Sequence, residues 1–321
     1  MSWDSVDSAW QRLRELTPPA WNSYLGFYSS WLDGYFREPW AMTLPLDDHG
    51  FHRGDGVFEA VRIHARAYID LQAHLARLQR SANAIGMELP KTQSEIEAIC
   101  VRLAHLCNTD TGILRLYVTR GPGGFSPSPA EVVGHQIYAA ITTLKPPAPE
   151  AYERGVRAMV SSVAAKEPFW AQIKSCNYLQ NVLMKRECLQ RGYDFAVSVD
   201  AQGRVCEGST ENLLIVNAQG EVQVPRFDYT LRGTTVSLVM KLAESLGSEG
   251  LVKGVSFADL SMDDLRCARE AAFVGTTLGV LPVQSFDGKA VGNGVVGPVC
   301  RRLHADLMAR MASDTALRTG F

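Results

Sequence analysis

The chain has 321 residues, 46% of them hydrophobic and 21% charged, with a formal net charge of −2. That length predicts two domains, and the composition suits a globular chain that buries a sizeable core. The near-neutral balance excludes a basic stripe for nucleic acid, no apolar run is long enough to span a bilayer, and the 7 cysteines, without a CxxC pair, argue against a disulfide framework or a metal site.

The first residues read as an extension over 1–22, with a short amphipathic helix carrying Trp3, Val6, Trp10 and Leu13 on one face. Pro18 and Pro19 stop it. The segment lacks the apolar stretch of a signal peptide, so a cytoplasmic location is expected. A small domain is predicted over 23–145. Within it, "HRGDG" is a turn feeding the strand "GVFEAVRIH". Leu71, Leu75, Leu78, Ala82 and Ile85 repeat at helical spacing, and Gly86 stands where a C-capping glycine belongs. A second helix covers Gln93–Cys107, and "ILRLYVTRG" and "HQIYAAITTL" read as strands. The proline-rich "KPPAPEAYE" predicts a linker over 146–152.

A larger domain is predicted over 153–321. It opens with the strand "VRAMVSSVA" and continues with a helix over 178–191 that is apolar at Leu179, Val182, Leu183 and Leu189 and closed by Gly192. Two hairpins follow, "FAVSVD" with "RVCEG" and "NLLIVN" with "VQVP". "LRGTT" then leads into a helix, "AAFVGTT" and "VLPVQSF" are strands, and a terminal helix covers 295–311. The fold class is α+β.

Two "GTT" triplets stand out. Gly233, Thr234 and Thr235 precede a helix, whose N-terminus and hydroxyls suit a phosphate. A plain threonine N-cap accounts for that triplet equally well. Gly275, Thr276 and Thr277 follow a strand. Neither triplet matches a P-loop. Arg77 sits in a mostly apolar helix, where a guanidinium either snorkels to water or holds a phosphate. Lys174 follows the apolar "FWAQI"; a nucleophilic lysine needs such a setting to lose its proton. A solvated lysine is the competing reading. Glu207 ends a strand among apolar residues and needs a cationic partner. A protonated pyridine nitrogen is one such partner, and Arg204 is the other. Together these residues make a parts list for pyridoxal 5'-phosphate.

The segments "GDGVFEAVRI", "HLARLQRSA", "IKSCNYLQNVLMKRE", "VCEGSTENLLIV", "LRGTTVSLVMKLAESLG" and "FVGTTLGVLPV", in this order, resemble the class IV aminotransferases. These are fold-type IV pyridoxal-phosphate enzymes with a small α/β N-terminal domain and a larger C-terminal domain built on a mixed sheet. The resemblance runs over about residues 24–311. It implies Lys174 as the Schiff-base lysine and proton shuttle, and Glu207 as partner of the pyridine nitrogen. It also implies that Arg77, Gly233, Thr234, Thr235 and Thr276 bind phosphate and that Tyr178 contacts cofactor. Phe58, Arg115 and Thr277 are substrate-pocket candidates. The resemblance implies an amino acid and a 2-oxo acid as substrates, a homodimer, and no nucleic acid, membrane or metal.

Within the family, "DDHGFHRGDGVFE", "KSCNYLQNVL" and "VPRFDYTLRG" are most similar to the plastid-type D-amino-acid aminotransferases. The Arg-x-His pair that bacterial D-amino-acid enzymes carry after "VTRG" is replaced by "GPGGFSPSPAE". Branched-chain L-amino acids are a further substrate class. The alternative activity is 4-amino-4-deoxychorismate lyase; Glu59 and Ala60 stand where lyases tend to carry threonine, which favours transamination. A non-catalytic pyridoxal-phosphate carrier would have no use for both the lysine and the glutamate.

Overall fold

The computed structural model describes residues 4–321; Trp3, assigned to the apolar face of the first helix, lies outside them. The chain divides into two compact units. The first runs through Leu71, resumes at Leu75–Leu144 and includes Thr319–Phe321; the second comprises Gln72–His74 and Lys145–Arg318.

The first unit begins with α1 (Val6–Glu15), none of whose residues is buried. It is held as an arm, with Trp10 edge-on to Trp40 at 6.3 Å and the Arg14 guanidinium 5.1 Å from the same ring. The strands of the unit are β1 (Tyr24–Ser29), β2 (Gly34–Phe36), β3 (Gly56–His64), β4 (Ala67–Ile69), β5 (Thr111–Thr119) and β6 (Gln136–Thr142), in the order β4-β3-β5-β6-β1-β2. The short helix α2 (His49–His52) precedes β3. Alternation along β3 puts Val57, Glu59, Val61 and Ile63 on one buried face. Helices α3 (Leu71–Ala84) and α4 (Gln93–Cys107) follow the predicted periods. Leu75, Leu78, Ile96 and Leu103 are buried. Gly86, at φ +60°, supplies the left-handed turn after α3. Thr92 and Glu95 form a capping box that starts α4.

The second unit contains α5 (Pro149–Arg154), β7 (Val156–Val160), α6 (Pro168–Ala171) and α7 (Leu179–Gln190). Next come β8 (Phe195–Val199), β9 (Val205–Gly208), β10 (Asn212–Val216), β11 (Glu221–Pro225) and α8 (Thr234–Ser248). It ends with β12 (Gly254–Ala258), α9 (Met262–Cys267), β13 (Glu270–Gly275), β14 (Gly279–Phe286), β15 (Lys289–Ala290) and α10 (Pro298–Ser313). The sheet is mixed, in the order β12-β11-β10-β13-β14-β7-β8-β9, with parallel pairs at β11/β12, β14/β7 and β7/β8. Val197, Leu213, Ile215, Phe273 and Leu281 form its core. The Gly208 N–H donates to the Glu211 carbonyl at 2.7 Å, so β9 runs back to the head of β10. The last strand, β16 (Arg318–Gly320), returns to pair beside β4.

Two expectations change, and α7 adds a feature that the sequence reading left open. The proline-rich linker is partly helical: Pro149 starts α5, and Ala151 and Tyr152 pack on the core of the second unit. The larger domain, expected to run to residue 321, ends at Arg318, because the final residues are needed as an edge strand of the other sheet. Leu179, Val182, Leu183 and Leu189 of α7 are exposed, and Met184 and Cys188 are the buried residues.

Candidate active site

Lys174 lies just after α6, which Pro168 starts and a C-cap at Gln172 ends. It is 9% exposed, which sets aside the solvated reading. Ile173 and Ser175 on either side are buried as well. Glu207 is the penultimate residue of β9. The competing salt bridge does not form: the Arg204 guanidinium bonds Asp200 at 2.7 Å instead.

Glu207 is held on one side only. Its Oε2 accepts from Asn212 Nδ2 at 3.1 Å and from the Leu231 N–H at 3.2 Å. Among the described residues no hydrogen bond reaches Oε1. Burial pushes the carboxyl up to about 7; the Leu231 N–H and the charges of Lys166 and Lys174 oppose the rise, and Glu211 adds to it. An acid so placed gains from a cation brought to its open oxygen.

The two threonine triplets converge. Thr235 Oγ1 and Thr276 Oγ1 are 3.5 Å apart. Thr234 and Thr235 are buried in the first turn of α8, where the leading N–H groups have no acceptor inside the helix. Gly233 is the N-cap and offers no side chain to those donors, so the simple threonine-cap reading fails. A Cβ at Gly233 would lie 2.0 Å from Asn212 Oδ1. Asn212 also donates to the Leu231 carbonyl at 2.9 Å. One side chain thus ties the Glu207 carboxylate to the turn that precedes α8. Tyr178 is half-buried at the N-cap of α7, with Lys166 Nζ 5.1 Å from its ring centre. Thr277 lines a groove of about 610 Å³ with Leu278, Glu211 and Lys185.

The remaining candidates belong to the first unit. Phe58 stacks on Tyr117 at 5.7 Å, and Arg115, opposite Ala60 in register, shares their face. Arg77 does not snorkel. It is 5% exposed, and its Nε and Nη2 donate to Glu59 at 2.7 and 2.6 Å.

Sequence reading missed Asn212, the Leu231 N–H and Lys166. Asn212 left one signal, a polar residue heading the wholly buried strand "NLLIV"; the other two reach Glu207 only through the fold.

Residues 56–286 match the family profile described as Amino-transferase class IV. The chain belongs to the class IV aminotransferase family. It is 34% identical over 295 residues to the chloroplastic D-amino-acid transaminase of Arabidopsis thaliana, covering 90% of this chain and 77% of the relative. Its fold is similar to that of the T.th. branched-chain amino acid aminotransferase solved with pyridoxamine 5'-phosphate, with a TM-score of 0.85, 25% identity, and coverage of 92% of this chain and 98% of that one. The 4-amino-4-deoxychorismate lyase of Pseudomonas aeruginosa superposes with a TM-score of 0.74 at 26% identity, over 88% of this chain and 98% of that chain. This aminotransferase uses pyridoxal 5'-phosphate, and the second unit fits that group. Glu207 offers an open acceptor for a protonated ring nitrogen. Thr235, Thr276 and the α8 N-terminus bring together hydroxyls and N–H groups that would suit its phosphate, and Lys174 is a buried amine.

Proposed function

We propose that this aminotransferase moves an amino group between a D-amino acid and a 2-oxo acid, with branched-chain L-amino acids as the second substrate class. The observation that carries transamination is the grouping, within one unit, of buried Lys174, the half-satisfied Glu207 carboxylate and the Thr235–Thr276 pair. Pyridoxal 5'-phosphate, when bound, supplies the electron sink that stabilises charge at the substrate α-carbon. Lys174 accepts the α-proton and returns it. Glu207 holds a proton at the ring nitrogen through Oε1. Thr234, Thr235, Thr276 and the N–H groups after Gly233 hold the phosphate. Family resemblance assigns Arg77 to the phosphate and Tyr178 to the cofactor, Phe58, Arg115 and Thr277 are the candidates for the substrate pocket, and these assignments are part of the proposal.

Two points favour D-amino acids: the sequence similarity to the Arabidopsis thaliana D-amino-acid transaminase and the plastid-type segments. Loss of the cofactor's visible absorption on mixing with a panel of D- and L-amino acids tests the assignment. Bleaching by D-amino acids supports it, and bleaching by branched-chain L-amino acids alone overturns the stereochemical part. Transfer to 2-oxoglutarate or pyruvate separates transamination from lyase chemistry.

The proposal includes a homodimer. The exposed Leu179, Val182 and Leu183 repeat at helical spacing on α7, and a second copy would cover them. Sedimentation of Leu183→Glu against the unaltered chain tests this. A reducing, cytoplasmic compartment is proposed from the free state of all 7 cysteines. No helix among the described residues is long and apolar enough to cross a membrane.

A further inference from the structure

Lys166 lies between β7 and α6, half-buried, and no carboxylate stands within ion-pair distance of it among the described residues. With Glu207, Cys206, Asn181 and Tyr229 it lines a small cavity behind β9. Its ammonium lies 5.1 Å from the Tyr178 ring centre, a cation–π placement that fixes the long side chain at the cofactor-proximal end of α7. Burial lowers its pKa, and the charge that opposes this is that of Glu207.

The groups facing Glu207 can be named element by element. From the head of β10 come Asn212, which donates, and Glu211, which is negative; the loop before α8 supplies the Leu231 N–H and sets Tyr229 in the cavity wall. Cys206 precedes Glu207 on its own strand, and burial pushes that thiol up to about 12. Two cations remain, Lys166 and Lys174. Lys174 is the amine that the chemistry uses, and it must be uncharged to act. Lys166 is therefore the cation near Glu207 that the proposed chemistry does not consume.

We propose that Lys166 is a positioning residue for Glu207, whose ammonium keeps the carboxylate ionised and available to the ring nitrogen of the cofactor. The inference rests on the proposed cofactor geometry, but its first test does not need the cofactor.

Carbon-13 NMR of glutamate side chains in the full-length apo chain, with Glu207→Gln identifying the signal, follows the Glu207 titration. Lys166→Met and Lys166→Gln are expected to move its midpoint upward by about one unit, and Lys166→Arg to leave it in place. The second measurement is retention of pyridoxal 5'-phosphate by the holoenzyme against pH. The neutral variants are expected to lose about tenfold in affinity near pH 7, a deficit that closes by about pH 9 as Glu207 ionises without help. Lys166→Arg restores the wild-type profile.

An unmoved Glu207 midpoint in a folded neutral variant overturns the proposal, and so does an affinity loss that is the same at every pH. If the midpoint moves but the unaltered chain takes up no pyridoxal 5'-phosphate, the link from Lys166 to Glu207 stands and the functional reading fails.

Discussion

The first unit and the surroundings of Glu207 in the second treat buried charge in opposite ways, while elsewhere in the second unit buried Glu270 is closed by the Val299 and Cys300 N–H groups at 3.1 and 2.8 Å. In the first, each strongly buried charge is closed on a partner. Glu59 and Arg77 form a two-point pair at 2.6–2.7 Å with both side chains nearly inaccessible. Arg120 bonds Asp55 through Nε and Nη2 and caps the carbonyls of Ile85 and Gly86. Asp48 accepts from Gly50, Thr119 and Tyr138. In the second unit, among the described residues, Glu207 keeps an open oxygen and Lys166 has no ion pair. A closed pair fixes a fold; an acid left half-satisfied is under-stabilised until a ligand completes it.

The sharpest way to break this comparison is to remove the open groups. Lys174→Ala should lower transamination by about 10³-fold or more while the chain stays folded, since proton transfer through a positioned group is lost. Multiple-turnover assays with an amino acid and a 2-oxo acid check this. Glu59→Gln should instead unfold the first unit at lower denaturant, costing about 3–5 kcal/mol, because the buried two-point bond from the Arg77 guanidinium loses its charged acceptor. Urea titration reads that loss.

Gly233→Ala tests the tie between the two halves of the proposed cofactor site. Its Cβ would collide with Asn212 Oδ1, displacing the donor to Glu207. A stability cost of about 1–3 kcal/mol is expected, with weaker cofactor retention beside it.

Glu207 also gives the cofactor-free chain a pH signature. Its folded pKa is raised from 4.5 to about 7, so its contribution to stability is fully present below the unfolded value and is lost as pH rises through about 7. On the order of 2 kcal/mol should disappear across that window, and Glu207→Gln should flatten the curve. The smallest effect belongs to the arm: Trp10→Ala removes one edge contact with Trp40 and should cost about 1 kcal/mol or less.

Much of this contrast was legible in the sequence. The periods of α3 and α4, the glycine that closes α3 and both hairpins follow from local patterning. Lys174, Glu207 and the threonine triplets were singled out as candidates, and their roles came from the family resemblance of ordered motifs. The Glu59–Arg77 pair was not legible: its partners stand 18 residues apart, and only antiparallel sheet and helix packing bring them face to face. Lys166 and the Leu231 N–H were hidden for the same reason. The return of β16 to the first sheet escaped because a 3-residue polar strand has no hydrophobic alternation to read. Helix α7 was read as apolar without a partner being named, and among the described residues Leu179, Val182 and Leu189 stay well exposed.

Borohydride reduction of the holoenzyme, followed by peptide mapping, tests the central claim most directly, because two lysines flank Glu207 and only one is assigned to chemistry. The account predicts a phosphopyridoxyl group on the peptide containing Lys174 and none on Lys166. A label on Lys166, or on neither lysine, would contradict it.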